Sequence, residues 1–164
     1  MSFMSTSSYY NALAASYSSL HKDEQYKKLS LIQEKIKHKL KKNSYVLDVG
    51  CGPCWSATFF PHVFGVDPSF ELLDKRRTVV CGYAEQLPFR SQLFDVILCV
   101  TALHHFDLDR ALPEMKRVAY ADALFVISLL KKSSRFDVLR AQIISSFRLI
   151  EEVDEGIDMI YVLQ

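Results

Sequence analysis

The sequence predicts an α/β fold: a mostly parallel sheet of seven strands between helical layers, and three observations carry that expectation. An apolar run, Tyr45 to Val49, ends in two glycines, Gly50 and Gly52, and a second apolar run ends in Asp67 and Pro68, which reads as a strand, loop, helix and parallel strand. Phe94 to Val100 is apolar almost throughout, as a strand is when both faces are covered. Near the end, Phe147 to Val153 and Ile157 to Leu163 flank Asp154-Glu155-Gly156, and so short a turn forces antiparallel pairing. Together these give a three-layer α/β/α sandwich whose sheet closes with an antiparallel hairpin.

Taken in order, Tyr9 to Leu20 and a segment from Asp23 to about Lys42 read as two leading helices, the second capped by Asp23. Leu29, Ile32, Ile36 and Leu40 recur at three- and four-residue steps and make one buried stripe. The basic run Lys35 to Lys42 is a solvated face in the simpler reading, its cations complementing the helix C-terminus. A nucleic-acid patch is the sharper reading. Pro53 fits the first turn of a helix, and Pro61 must end that helix soon. Ser69 to about Lys75 offers only two turns of a second crossover helix, and Thr78 to Gly82 reads as the third strand. Asp107 to Ala119 is helical, with Leu108, Leu112, Met115 and Val118 on one side. Ala123 to Leu130 is the fifth strand, and Ser134 to Ser146 an amphipathic helix with Val138, Leu139, Ile143 and Ile144 inward.

At 164 residues the chain is expected to form one domain, residues 1–42 as leading helices and 43–164 as the core. A hydrophobic fraction of 49% excludes a disordered chain. No apolar run approaches the ~20 residues that cross a bilayer, so no membrane partner is expected. The first twenty residues carry no Lys or Arg and no long apolar core; they read as neither a secretory nor a mitochondrial address, and a cytoplasmic place is expected. The four cysteines lie in or beside strands, where a reducing compartment disfavours disulfides, and no second C-x-x-C accompanies Cys51 and Cys54 to suggest zinc.

Gly50 and Gly52 allow a sharp turn and close approach of a ligand to the backbone, and the helix start at Pro53 would offer free N–H groups to a carboxylate or phosphate. A dinucleotide fingerprint needs a small residue where Trp55 stands, which disfavours a nicotinamide cofactor. Cys51-Gly52-Pro53-Cys54 is also a redox tetrapeptide, but the glycine-loop context explains Cys51 and no thioredoxin-type order surrounds it.

VLDVGCGP (Val46 to Pro53), the Asp67-Pro68 strand end, GYAEQLPF (Gly82 to Phe89) and FDVILCVTALHHF (Phe94 to Phe106) resemble, in order, four motifs of class I S-adenosylmethionine (SAM)-dependent methyltransferases. The resemblance runs along most of the chain. It implies a Rossmann-like fold, SAM as cofactor, and methyl transfer to a small molecule or a tRNA base. It also implies that Gly50, Cys51 and Gly52 meet the methionine and ribose part, that Asp67, followed by Pro68, binds the ribose hydroxyls, and that Ala84 and Glu85 lie at the adenine. Asp48 would orient the glycine loop or the amino group, Thr101 and Leu103 would line the methionine arm, and Tyr10 or Tyr17 would cover it. Two departures stand out. Tyr83 occupies the place of a common adenine-binding Asp, and Ala102-Leu103-His104-His105 replaces the N/D-P-P-Y of enzymes that methylate amide or adenine nitrogens. The LHHF form resembles quinone, small-molecule and wobble-uridine methyltransferases. His104 and His105 are the general-base candidates, His104 ahead by resemblance; the simpler reading is capping or cofactor packing. The alternative function is a non-catalytic SAM-binding subunit of a heteromeric complex. A small activating partner subunit is a further expectation, and the basic groups at Lys75 to Arg77 and Lys131 to Arg135 leave RNA open.

Overall fold

The computed structural model describes residues 6–164; the five before them, part of the stretch read for an address, lie outside the described residues. A long helix, α1 (Thr6–Ile36), precedes a sheet of seven strands: β1 (Val46–Val49), β2 (Val63–Asp67), β3 (Val79–Cys81), β4 (Phe94–Val100), β5 (Ala119–Leu130), β6 (Leu149–Asp154) and β7 (Asp158–Leu163). Two further helices, α2 (Leu108–Val118) and α3 (Phe136–Ser146), flank β5 in the chain. The strand order is β3-β2-β1-β4-β5-β7-β6. Strands β1 to β5 pair in parallel, and β7 lies antiparallel between β5 and β6, as the closing hairpin requires. The chain therefore leaves β1 in one direction and returns to β4 on its other side. Such a reversal opens a crevice beyond the carboxyl ends of the two strands, where α/β sheets hold their ligands.

Alternation along the strands sorts the core into two faces. Leu47, Val49, Ile97 and Cys99 pack with Ala111, Met115 and Val118 of α2 and with Leu139 and Ile143 of α3. Val46, Val96, Leu98, Val126, Ile160 and Val162 point the other way and pack on Leu29, Ile32 and Ile36 of α1. The stripe read from the sequence thus buries three isoleucine and leucine side chains almost completely, each contributing about 1.5–3 kcal/mol.

Several expectations are corrected. The two leading helices are one, because neither Gly nor Pro interrupts Thr6–Ile36; Asp23 is interior rather than a cap, and a 3-10 turn, Lys37–Lys39, follows before the chain extends at Leu40. Pro53 opens no α-helix: Cys54 is left-handed (φ 55°), and only a 3-10 turn, Trp55–Thr58, fits before Pro61. Residues 69–75 form turns, held by bonds such as Leu72 N–H to Ser69 O at 3.1 Å, and no helix. With both crossover helices missing, α1 covers that face in their place. In α3, Leu139 and Ile143 are buried, but Val138 is exposed. Among the described residues no helix is long and apolar enough to cross a membrane.

Candidate cofactor cleft

The loop after β1 is fixed by its own hydrogen bonds. Gly50 N–H and Cys51 N–H both donate to Val66 O, at 2.8 and 3.1 Å, and Cys54 N–H donates to Cys51 O at 2.8 Å. A side chain at Gly50 (φ 73°) would place its Cβ 2.5 Å from that of Ala102, so only glycine lets this loop pass the one after β4. Gly52 N–H donates to Asp67 Oδ2 at 2.8 Å, and Ser69 N–H to Asp67 Oδ1 at 2.8 Å. The donors expected at a helix start are thus consumed within the loop. Asp67, buried at the tip of β2, is clamped from two sides with one N–H on each oxygen. Each oxygen keeps a further lone pair, enough to accept one hydroxyl apiece from a diol.

Asp48, at the floor, accepts a hydrogen bond from Ser56 Oγ. Burial pushes its carboxyl up to about 7 against that bond, with Asp67 adding to the rise. Cys51 is held as a thiol: its hydrogen bond to Cys54 and its burial push it well above the ordinary range, which makes it a poor nucleophile.

Helix α1 lies across the opening. Asn11 Oδ1 accepts from Ser69 Oγ at 2.7 Å and Glu71 N–H at 3.2 Å. The Tyr10 hydroxyl bonds His105 Nε2 at 2.9 Å, and the Tyr17 ring stacks on Trp55 with centroids 5.9 Å apart and planes 17° apart. Beneath it is a chamber of about 80 Å³ walled by Asp48, Gly50, Cys51, Gly52, Asp67, Pro68 and Thr101, with Tyr10, Tyr17 and Gln25 from α1. Pro68, His105 and Phe106 also border a larger groove of about 770 Å³, lined by Tyr83, Ala84, Glu85 and Arg110. Chamber and groove adjoin as one cleft at Pro68, His105 and Phe106, which border both.

The sequence candidates divide accordingly. Asp48, Gly50, Cys51, Gly52, Asp67, Pro68 and Thr101 meet at the chamber, and Ala84, Glu85 and His105 at the groove. Glu85 also accepts Asp107 N–H at 2.8 Å, just before α2. Leu103 is wholly buried in the core, and Ala102 and Phe106 take the wall instead. His104 lines neither space: its carbonyl accepts Arg135 Nη1 at 2.8 Å, and its ring leans on His105 at 3.8 Å. Burial lowers both histidines, His105 to about 4 with His104 adding to the fall. Asn11, Gln25, Ser56 and Lys28 escaped the sequence reading. Only Lys28 left a trace, since it shares a helical face with Leu29 and Ile32 although charged. Among the described residues no group of three or more His, Cys, Asp or Glu could hold a metal ion.

This cleft, on this strand order, lies where α/β sheets hold nucleotide-type ligands. Residues 47–127 match the methyltransferase domain family. An uncharacterized protein of Methanocaldococcus jannaschii is 35% identical over 133 residues, covering 77% of this chain and 52% of its own length. The uncharacterized methyltransferase YcgJ of Bacillus subtilis is 35% identical over 98 residues, 50% of this chain and 39% of its own. Among solved structures, a putative methyltransferase of Haloferax volcanii in complex with the Trm112 methyltransferase activator aligns with a TM-score of 0.69 at 14% identity, over 99% of this chain and 98% of that one. Over residues 47–127 the chain is thus similar to methyltransferase domains, and its fold is theirs. It spans about half the length of the first curated relatives it matches, 52% and 56%.

Proposed function

We propose that this chain is a SAM-dependent methyltransferase acting on a small-molecule acceptor that enters at the His105 side of the cleft. The observation that carries it is the Asp67 carboxylate, fixed by Gly52 and Ser69 N–H with lone pairs free for a ribose diol beside a loop that only glycine permits. The donor set fits the cofactor: Asp67 for the diol, the Ala84 and Glu85 groove for the base, and Asp48 with the Gly50 to Gly52 carbonyls at the amino-acid end. When bound, SAM supplies a methyl group already activated on a sulfonium.

The chain's own part is to hold and exclude. Tyr17 on Trp55 and Tyr10 on His105 close α1 over the chamber and keep water from it. Orientation of this kind can supply roughly 7–11 kcal/mol of the barrier. His105, kept neutral by burial, can accept a proton where chamber and groove meet from an acceptor that has one to lose.

An RNA acceptor is less supported, because much of the basic sequence is spent on local pairs: Lys35 with Glu151, Lys37 with Glu34, Arg76 and Arg77 with Asp74, and Lys131 with Asp154. A non-catalytic subunit is not favoured either, since the chain's likeness in the Haloferax complex is to the putative methyltransferase. That complex does support a small activating subunit as a partner. Calorimetric titration with SAM, S-adenosylhomocysteine (SAH) and NADH tests the cofactor: micromolar binding of the first two alone is expected, and NADH binding would sink the reading. Labelled methyl transfer to candidate acceptors, in 50 and 200 mM salt, then separates a small molecule from RNA, whose affinity would fall steeply.

A further inference from the structure

Behind the chamber wall lies a charged cluster with no evident catalytic task. Lys28 of α1 and Asp158 at the start of β7 are both fully buried. Lys28 Nζ donates to Asp158 Oδ2 at 2.9 Å and to Thr101 Oγ1 at 2.8 Å, with Glu24 Oε1 more distant at 3.4 Å. The same Asp158 oxygen accepts the Thr101 hydroxyl at 2.7 Å and the Ser128 hydroxyl at 2.8 Å, and Ser128 Oγ accepts Thr101 N–H at 2.9 Å.

Two features set this cluster apart from an ordinary buried ion pair. The donors all converge on Oδ2, while Oδ1 has no partner among the described residues. A pair serving stability alone should satisfy both oxygens, since buried polar atoms without partners are destabilising and buried ion pairs contribute little net. Secondly, what the cluster grips is Thr101, a β-branched residue held at φ 55° and standing in the chamber wall. That backbone region is unfavourable for such a side chain and persists only where the surroundings impose it.

We propose that Lys28 and Asp158 are positioning residues for cofactor binding: they impose the left-handed conformation of Thr101 and tie this wall to α1, so that the wall and the covering helix hold one arrangement. The proposal rests on the SAM reading of the cleft. Lys28 supplies the link to the helix, Asp158 the link to β7, and Ser128 completes the grip from β5.

Four variants of the full chain test it: Lys28→Met, Asp158→Asn, the two combined, and the milder Ser128→Ala. Thermal melting, SAH calorimetry and hydrogen exchange of residues 100–106 without ligand are the readouts. Each charge-removing single variant should melt about 10 °C lower, because a lone charge stays buried. The combined variant should regain most of that melting temperature, yet bind SAH at least tenfold more weakly and exchange residues 100–106 at least tenfold faster than wild type. Ser128→Ala should melt within about 3 °C of wild type and bind SAH about threefold more weakly. Recovery of melting, affinity and protection together in the combined variant would mean a structural pair only and would overturn the proposal. Should the combined variant not fold, Ser128→Ala decides: unaltered affinity and exchange overturn it. Were wild type to bind no SAH, the cofactor reading would fail by itself, and unaltered exchange at 100–106 would still reject the positioning role.

Discussion

Asp67 concentrates the residue-scale argument. Its carboxylate fixes two backbone N–H groups and lines the chamber, so on the proposed reading Asp67→Asn, which keeps the shape and loses the charge, should weaken SAH binding roughly 10- to 100-fold by calorimetry. Asp48 and His105 make opposite statements about pH. The buried Asp48 carboxyl titrates at about 7 when folded, above its ordinary 3.8. The folded state holds this proton longer than the unfolded chain does, so its contribution is full below about pH 4 and declines as pH rises through about 7. Relative to Asp48→Asn, wild type should lose up to about 4 kcal/mol between pH 4 and pH 8, measured as urea unfolding free energies. His105, depressed to about 4, works the other way: the stability it gains by staying neutral is complete above about pH 6.5 and is lost as pH falls through about 4. As a base it would already be free throughout the neutral range. His105 should then add no inflection near 6.5 to the pH profile of methyl transfer, any change between pH 6 and pH 8 disappearing in Asp48→Asn, and His105→Ala should cost about 10²-fold or more in kcat.

Helix α1 has two halves with different work. Its second half carries the Leu29, Ile32 and Ile36 stripe into the core, and Ile32→Ala there should cost about 2–5 kcal/mol in urea unfolding. The first half meets the cleft through Asn11, Tyr10 and Tyr17, and the roughly 80 Å³ beneath it is small for the ribose and amino-acid end that the proposed reading places there, the base lying in the groove. Cofactor entry therefore requires residues 10–25 to lift, and bound SAH should slow their hydrogen exchange more than that of residues 29–36. The stripe was legible because packing obeys a 3.6-residue period; the cleft contacts were not, because residues 9–20 follow no single apolar face. The same contrast runs through the fold. Strand β4 and helix α2 announced themselves by continuous or periodic apolar residues, and the glycine loop by a conformation few residues can take. The crossover helices were misjudged because Pro53 and Pro61 bracket a segment in which the left-handed Cys54 leaves room for one 3-10 turn, a tertiary constraint with no periodic signature. Asp158 was invisible as a site because its partners lie in other elements, Lys28 being 130 residues away.

At the scale of the molecule, one face of the sheet depends on a single helix. Removing residues 6–36 would uncover Val46, Val96, Leu98, Val126, Ile160 and Val162 at once, a larger apolar patch than monomers normally expose. Such a truncated chain should pass largely into the insoluble fraction on expression, with the remainder binding an apolar dye. The order in which these parts are made adds a burden of timing. The helix is synthesised before its docking surface, which β7 completes; at roughly 5–20 residues per second the ribosome needs about 6–26 s to cover the 130 positions between Lys28 and Asp158. Throughout that interval the nascent chain displays an apolar stripe and a lysine with nowhere to dock, the kind of segment a chaperone at the exit tunnel would hold until the final hairpin has emerged.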